Sequence, residues 1–275
     1  SGVIDVFAKY AHYIMQELGE YIDYVCTINE ANMGFQLKKV AADMMAASKK
    51  KEGAVQVGVN FDMKKILLGM LEQGKAFHCN PFKVNTFLSP RSQKQEEIVM
   101  KAHQAANAAV KEVKSSCKVG LTVSLFDYQP DASGKEMAEQ LWYEDFGFYL
   151  PYIKKDDFIG VQNYSRKIVT VQGAVEPGDN VKVTQMGYED YPASLGNVVR
   201  KVAAVFDGDI LVTENGIATS DDTRRCEFIK EVAEDIKQCI NDGIKVKGYM
   251  HWSLLDNFEW QAGYGKTFGL IAVDR

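Results

Sequence analysis

Ile210-Leu211-Val212-Thr213-Glu214-Asn215-Gly216 is the stretch on which the fold turns. Its first residues are apolar and β-branched, and Asn-Gly stops the run, so it reads as a buried strand. The strand ends on a carboxylate. A Glu at the carboxyl end of an apolar strand lies on the rim of an α/β sheet or barrel, where catalytic groups collect. Tyr24-Val25-Cys26-Thr27-Ile28 repeats the design and ends on Asn29-Glu30. Either Glu alone has a plain structural reading: Glu214 as a surface-turn acid, Glu30 as a first-turn helix acid favoured by the dipole. Two strands that each bring a Glu to one rim point instead to paired carboxylates, the equipment for breaking a glycosidic bond.

Working outward, the rest of the chain alternates helix and strand. Val3, Val6, Phe7, Tyr10, Ala11, Ile14, Met15 and Leu18 follow helical spacing, which predicts an amphipathic helix over 3–18. A long region, about 31–92, exceeds an ordinary βα loop and reads as a rim insertion with helical pieces near 36–50 and 63–71. Ser92 caps a helix to about Lys114. Lys118–Leu125 reads as a strand broken by Asp127-Tyr128-Gln129-Pro130, and 135–149 as a helix. Asp157–Tyr164 reads as a further strand and 166–190 as a polar, hairpin-like excursion. A helix over 194–206 leads to the Glu214 strand. Asp221 or Asp222 caps the next helix, which Gly243 stops, and Val246–Trp252 is the last strand. The strands are apolar rather than alternating, as parallel strands buried on both faces should be. The expectation is one α/β domain over 1–275, a parallel barrel or sheet with five strands, where a closed (β/α)8 TIM barrel needs eight.

Composition narrows the chemistry. The net charge of -5 argues against nucleic acid or an anionic membrane as partner. No apolar run is long enough to span a bilayer. Cys26, Cys79, Cys117, Cys226 and Cys239 form no C-x-x-C pair, and reduced thiols fit a cytoplasmic enzyme. Ser1-Gly2 leads straight into a helix, as a truncated start would, so the lack of a signal peptide carries little weight. The four histidines have no zinc spacing, no phosphate loop or G-x-S-x-G occurs, and neither metal nor cofactor is expected.

One more stretch bears on function: His251-Trp252-Ser253-Leu254-Leu255-Asp256-Asn257-Phe258-Glu259-Trp260. Trp252 alone reads as core filling. Two Trp that bracket Asn257 and Glu259 at a strand-to-loop transition offer a pyranose ring flat faces for stacking and acceptors for its hydroxyls.

Together these residues resemble glycoside hydrolase family 1, the β-glucosidase and β-glycosidase family. Thr27-Ile28-Asn29-Glu30 resembles its T-x-N-E-P acid/base motif, Val212–Gly216 its nucleophile motif, and Gly248–Arg275, with Thr267-Phe268-Gly269-Leu270, its C-terminal signature. The resemblance implies strands four to eight of the barrel and a retaining β-glycosidase acting on terminal non-reducing β-D-glycosides without cofactor. It implies Glu214 as nucleophile and Glu30 as acid/base, about 5–5.5 Å apart. It also implies Asn29 on the sugar 2-OH, Tyr164 orienting Glu214, and Trp252 as stacking floor. Glu259 and Trp260 would bind the outer hydroxyls, with Phe268 at the substrate site. An acid at 259 would repel a phosphorylated sugar, so the expected substrate is a plain glycoside.

The departures from the family pattern carry expectations of their own. Ala31 stands where the family has Pro, which should loosen the turn after Glu30. Gln162-Asn163-Tyr164 stands where the family often has Asn-Tyr-Tyr. The family's Gln, Arg and His-Trp from the first three strands have no counterpart. Five strands would leave two open edges, to be met by an N-terminal fragment or by self-association. The alternative reading is an inactive fragment or a carbohydrate-binding half-barrel.

Overall fold

The computed structural model describes residues 2–40, 63–84 and 89–275. The helical piece expected near 36–50 lies partly outside the described residues; residues 33–40 are helical.

The expected alternation is present. An opening helix, Gly2–Leu18, leads through a short turn to β1, Tyr24–Cys26. Met63–Ala76 and Gln93–Val113 are helical, and Ser92 with Gln95 closes the second of these with a capping box. β2, Lys118–Gly120, and β3, Thr122–Ser124, follow on one continuous path that steps at buried Leu121. β4 is Asp127–Pro130, β5 is Phe158–Gln162, β6 is Arg166–Thr170 and β7 is Gly173–Val175. Helix Ser194–Ala203 precedes β8, Asp209–Asn215. Helix Asp222–Asn241, capped by the Asp221 carboxylate, precedes β9, Val246–His251. At the end of this last helix Gly243 takes φ +86, the left-handed geometry that glycine adopts without penalty.

β1 pairs with β2, and β3, β5, β8 and β9 follow side by side, all parallel. Because Thr122 N–H donates to the Ile28 carbonyl and Gly160 N–H to that of Leu121, the two groups run on as one curved sheet in sequence order. This is the winding of a βα barrel, in which each strand returns beside its predecessor through a helix.

Burial decides where the core sits. Every residue of β5 is buried, and the core gathers Leu121, Val123, Ile159, Val161, Ile210 and Val212 from the strands with Val198, Val202, Phe228 and Val232 from the helices. Burial fades towards the flanks. Among the described residues β1 and β9 each have a strand neighbour on one side only, and Tyr24 and Met250 are about half exposed at 50% and 47%. The expectation of strands buried on both faces therefore holds for the central strands and not for the outer two. A second cluster, Met15, Val110, Cys117 and Val119, fastens the opening helix to Gln93–Val113 behind β1.

Two local readings are corrected. Asp127–Pro130 does not merely break a strand: it pairs parallel with β6, and the β6–β7 hairpin completes a separate three-stranded sheet. Pro130 is tolerated at the end of that ladder because its missing N–H falls at a strand terminus. The segment 135–149 is not one helix, since Lys135–Trp142 passes into a π-turn at Tyr143–Gly147. The hairpin-like excursion expected over 166–190 holds the β6–β7 hairpin, and Arg166 anchors it by gripping Glu189 through two nitrogens at 2.9 and 2.6 Å and stacking on Tyr191.

Phe228 is the largest fully buried side chain of the Asp222–Asn241 helix, at 1% exposure. Phe228→Ala should lower stability by about 3–5 kcal/mol in urea unfolding. A loss below about 1 kcal/mol would mean that this helix is not packed on the core as described.

Candidate active site

The two carboxylates arrive from different strands and are tied to one frame. After β1 the chain turns at Glu30, whose φ of +46 is in the left-handed region that a non-glycine residue occupies at a cost. Hydrogen bonds hold that turn. Glu30 N–H donates to Thr122 Oγ1 at 2.8 Å, and Ala31 N–H to the Thr122 carbonyl at 2.9 Å. Arg91 donates to the Ala31 carbonyl. A proline at 31 has no N–H to give, so Ala31 pins the turn through a bond that proline lacks. The expectation that Ala31 loosens it is therefore corrected.

Glu214 owes its direction to a β-bulge. Phe158 to Val161 pair with Asp209 to Val212 one for one, but Gln162 pairs with Glu214, leaving Thr213 as the extra residue. Bulges re-aim a side chain next to the bulged residue. Here the result is that Gln162 Nε2 donates to Glu214 Oε1 at 2.9 Å while Tyr164 OH donates to Oε2 at 2.7 Å. Beyond Glu214 the strand passes so close to the next that a Cβ on Gly216 would lie 1.9 Å from the Trp252 carbonyl oxygen, so only glycine fits. Asn215 donates to the Asn163 carbonyl at 2.7 Å and accepts from Tyr249 OH at 2.8 Å, which locks the ends of β5, β8 and β9 together.

The two halves are joined through Asn29. Its Oδ1 accepts from Thr122 Oγ1 at 2.8 Å and from Gln162 Nε2 at 2.8 Å. The chain of hydrogen bonds therefore runs from the Glu30 backbone through Thr122, the accepting Asn29 oxygen and Gln162 to the Glu214 carboxylate, across four strand ends.

The other predicted residues gather around this frame. Trp252 and Tyr164 pack, together with Tyr188, against a small core of Met186, Ala218 and Phe268. Phe268 is buried, and its ring meets Tyr164 edge-on at 6.0 Å, so it backs Tyr164. Glu259 is partly buried, accepts from Asn257 at 2.8 Å, and its charge acts on Glu30 and Glu214. Trp260 lies further out on a short turn, 59% exposed. Gln162, Thr122 and Tyr188 were not singled out for the site from sequence. Gln162 carried one signal, its departure from the family pattern; the others carried none, because ordinary strand and loop residues become site residues only through pairing.

Electrostatics separate the two acids. Burial, followed by the Glu214 charge, pushes the Glu30 carboxyl up to about 7, Glu259 adds to this, and the Ser124 hydroxyl pulls the other way. Burial also raises Glu214, and the Tyr164 phenol holds it back. Glu214 receives two neutral donors on its two oxygens, so the proton of the pair belongs on Glu30. Burial and the Glu214 charge raise the Tyr164 phenol well above its usual range, which keeps it a donor. Among the described residues no cluster of His, Cys, Asp and Glu could hold a metal ion, and no helix is long and apolar enough to cross a membrane.

A carboxyl whose folded pKa is raised binds its proton longer folded than unfolded, so the folded state loses stability as pH rises through the interval between the two pKa values. For Glu30 that interval runs from about 4.5 to about 7. Glu30→Gln should therefore stabilise the chain at pH 8, by on the order of 2 kcal/mol, and do little at pH 4. Urea unfolding at both pH values reads the difference, and equal effects at the two would contradict a buried, protonated Glu30.

The glycosyl hydrolase family 1 model matches residues 148–275. A β-galactosidase of Pyrococcus woesei is 29% identical over 98% of this chain and 56% of its own length. β-Glucosidase A of Acetivibrio thermocellus is 25% identical over 98% of the chain and 63% of its own length. The crystal structure of a β-glycosidase superposes with a TM-score of 0.84 at 31% identity, covering 99% of this chain and 62% of that one. The chain thus spans less than two thirds of the length of these relatives, and within that span its sequence and fold resemble those of glycosyl hydrolase family 1.

Proposed function

We propose that this chain carries the catalytic carboxylates of a retaining β-glycosidase, with Glu214 as nucleophile and Glu30 as acid/base. The observation that carries the reading is the asymmetry of the pair: Glu214 is held by two neutral donors, while Glu30 is pushed up to about 7 beside it. One carboxylate is ready to attack and the other to give a proton, which is the division of labour that double displacement needs.

In the first step a Glu214 oxygen bonds to the anomeric carbon as the bond to the leaving oxygen breaks, and Glu30 hands that oxygen its proton. In the second, Glu30, now ionised, takes a proton from water. The water oxygen bonds to the anomeric carbon and the ester to Glu214 breaks, so configuration is retained. Asn29 is offered to the 2-hydroxyl, Trp252 to the sugar face, and Glu259 with Trp260 to the outer hydroxyls. The acid at 259 disfavours a phosphorylated sugar. Relatives named β-galactosidase and β-glucosidase both match the chain, which supports a terminal β-D-glucoside or galactoside as substrate class.

We also read the five parallel strands as the fourth to eighth of an eight-stranded barrel. The two one-sided edges at β1 and β9 support this reading, and so does the span of the chain against its relatives. On that basis turnover requires the remaining strands, which would supply further grip on the sugar.

The test is covalent trapping. An aryl 2-deoxy-2-fluoro-β-glycoside, added to the chain together with the missing N-terminal strand-helix units, should leave a glycosyl adduct on the Glu214 peptide in mass spectrometry. With an unmodified aryl β-glycoside, Glu30→Gln should lower turnover about 10²–10⁴-fold. Labelling of another residue, or turnover that survives loss of either acid, would overturn the proposal.

A further inference from the structure

Gln162 pays a visible cost for where it stands. The side chain is completely buried, and its Oε1 has no hydrogen-bond partner. A buried acceptor left unmade is costly and calls for an explanation. Turning the amide over does not remove the problem. Its nitrogen lies 2.8 Å from Asn29 Oδ1 and 2.9 Å from Glu214 Oε1, so an oxygen placed there would face two acceptors. Thr122 Oγ1, at 3.1 Å, already donates to Asn29. The two N–H groups therefore go to Asn29 and Glu214, and the oxygen goes without.

The reach of the residue is used to the full. β5 and β8 pair one for one until the bulge at Thr213 brings Glu214 opposite Gln162. A side chain one methylene shorter, rooted at the same strand position, would fall about 1.5 Å short of one of the two acceptors it now spans.

We propose that Gln162 is the positioning residue that couples the two halves of the site, fixing Asn29 with one N–H and neutralising part of the Glu214 charge with the other. The proposal rests on the reading of Glu214 as the working carboxylate. It assigns to Gln162 no contact with substrate. Its function is to hold Glu214 ionised and oriented while the neighbouring Glu30 keeps the proton, and the unpaired Oε1 is what that arrangement costs the fold.

The experiment compares the unaltered chain with Gln162→Met, which keeps length and volume but removes every polar atom, and with Gln162→Asn, which keeps polarity and loses reach. The readouts are the carboxyl titration of Glu214 by ¹³C NMR, with Glu214→Gln assigning the signal, and the urea unfolding midpoint. A positioning role predicts that Gln162→Met moves the Glu214 midpoint upward by about one pH unit, because a donor to the charged form is lost. It also predicts no loss of stability, because the orphaned acceptor goes with it. Gln162→Asn should raise the Glu214 midpoint too, and this variant decides the matter should Gln162→Met not fold. A purely structural role predicts the reverse, a lowered unfolding midpoint with the titration unmoved, and that outcome overturns the proposal. Failure of covalent trapping at Glu214 would remove the nucleophile reading without touching this titration. An unmoved titration would remove the role of Gln162 and leave the trapping result standing.

Discussion

The site depends on a single line of donors crossing from one strand end to another. Thr122 and Gln162, on neighbouring strands, both donate to Asn29, and Gln162 goes on to Glu214. Each bond is short, and the two donors, Thr122 and Gln162, are buried. In such surroundings a hydrogen bond to a charge is stronger than in water, and a missing one is correspondingly expensive. The two acids are therefore not independent residues that happen to be neighbours. The direction of one is fixed by the groups that fix the turn bearing the other.

This constraint explains features that look like defects elsewhere in the strands. The bulge at Thr213, the positive φ of Glu30 and the orphaned Gln162 oxygen each break a local rule. All three lie within the same small volume, and all three serve to bring a carboxylate to the rim. Behind the rim lies the core, where Leu121, Val123, Ile159, Val161, Ile210 and Val212 are buried. Departures from local rules that cluster around two carboxylates are the pattern expected at a site shaped for chemistry.

Much of this was legible in the sequence, for reasons that can be named. The helices announced themselves through apolar spacing and caps, as with Asp221 ahead of Asp222–Asn241. The central strands did so through short apolar runs, and Glu30 and Glu214 through their place at the ends of two of them. What could not be read depends on pairing between distant segments. Register alone reveals the bulge that sets Glu214 against Gln162. Asp127–Pro130 holds two turn formers and no apolar run, yet it becomes a strand because Arg166–Thr170 arrives beside it. The role of Ala31 is a matter of a backbone N–H, which a sequence does not display as a group. Phe268 was placed at the substrate from likeness alone, and its ring is used up against Tyr164.

The central claim is that Glu30 and Glu214 share one electrostatic site in which Glu30 holds the proton. The most direct measurement is the ¹³C carboxyl titration of Glu30 in the unaltered chain and in Glu214→Gln. The account predicts a midpoint near 7 in the former, since the carboxyl is pushed up to about 7, and a clearly lower one once the neighbouring charge is gone. A midpoint in the ordinary carboxylate range, unmoved by Glu214→Gln, would show that the two acids do not meet and would contradict it.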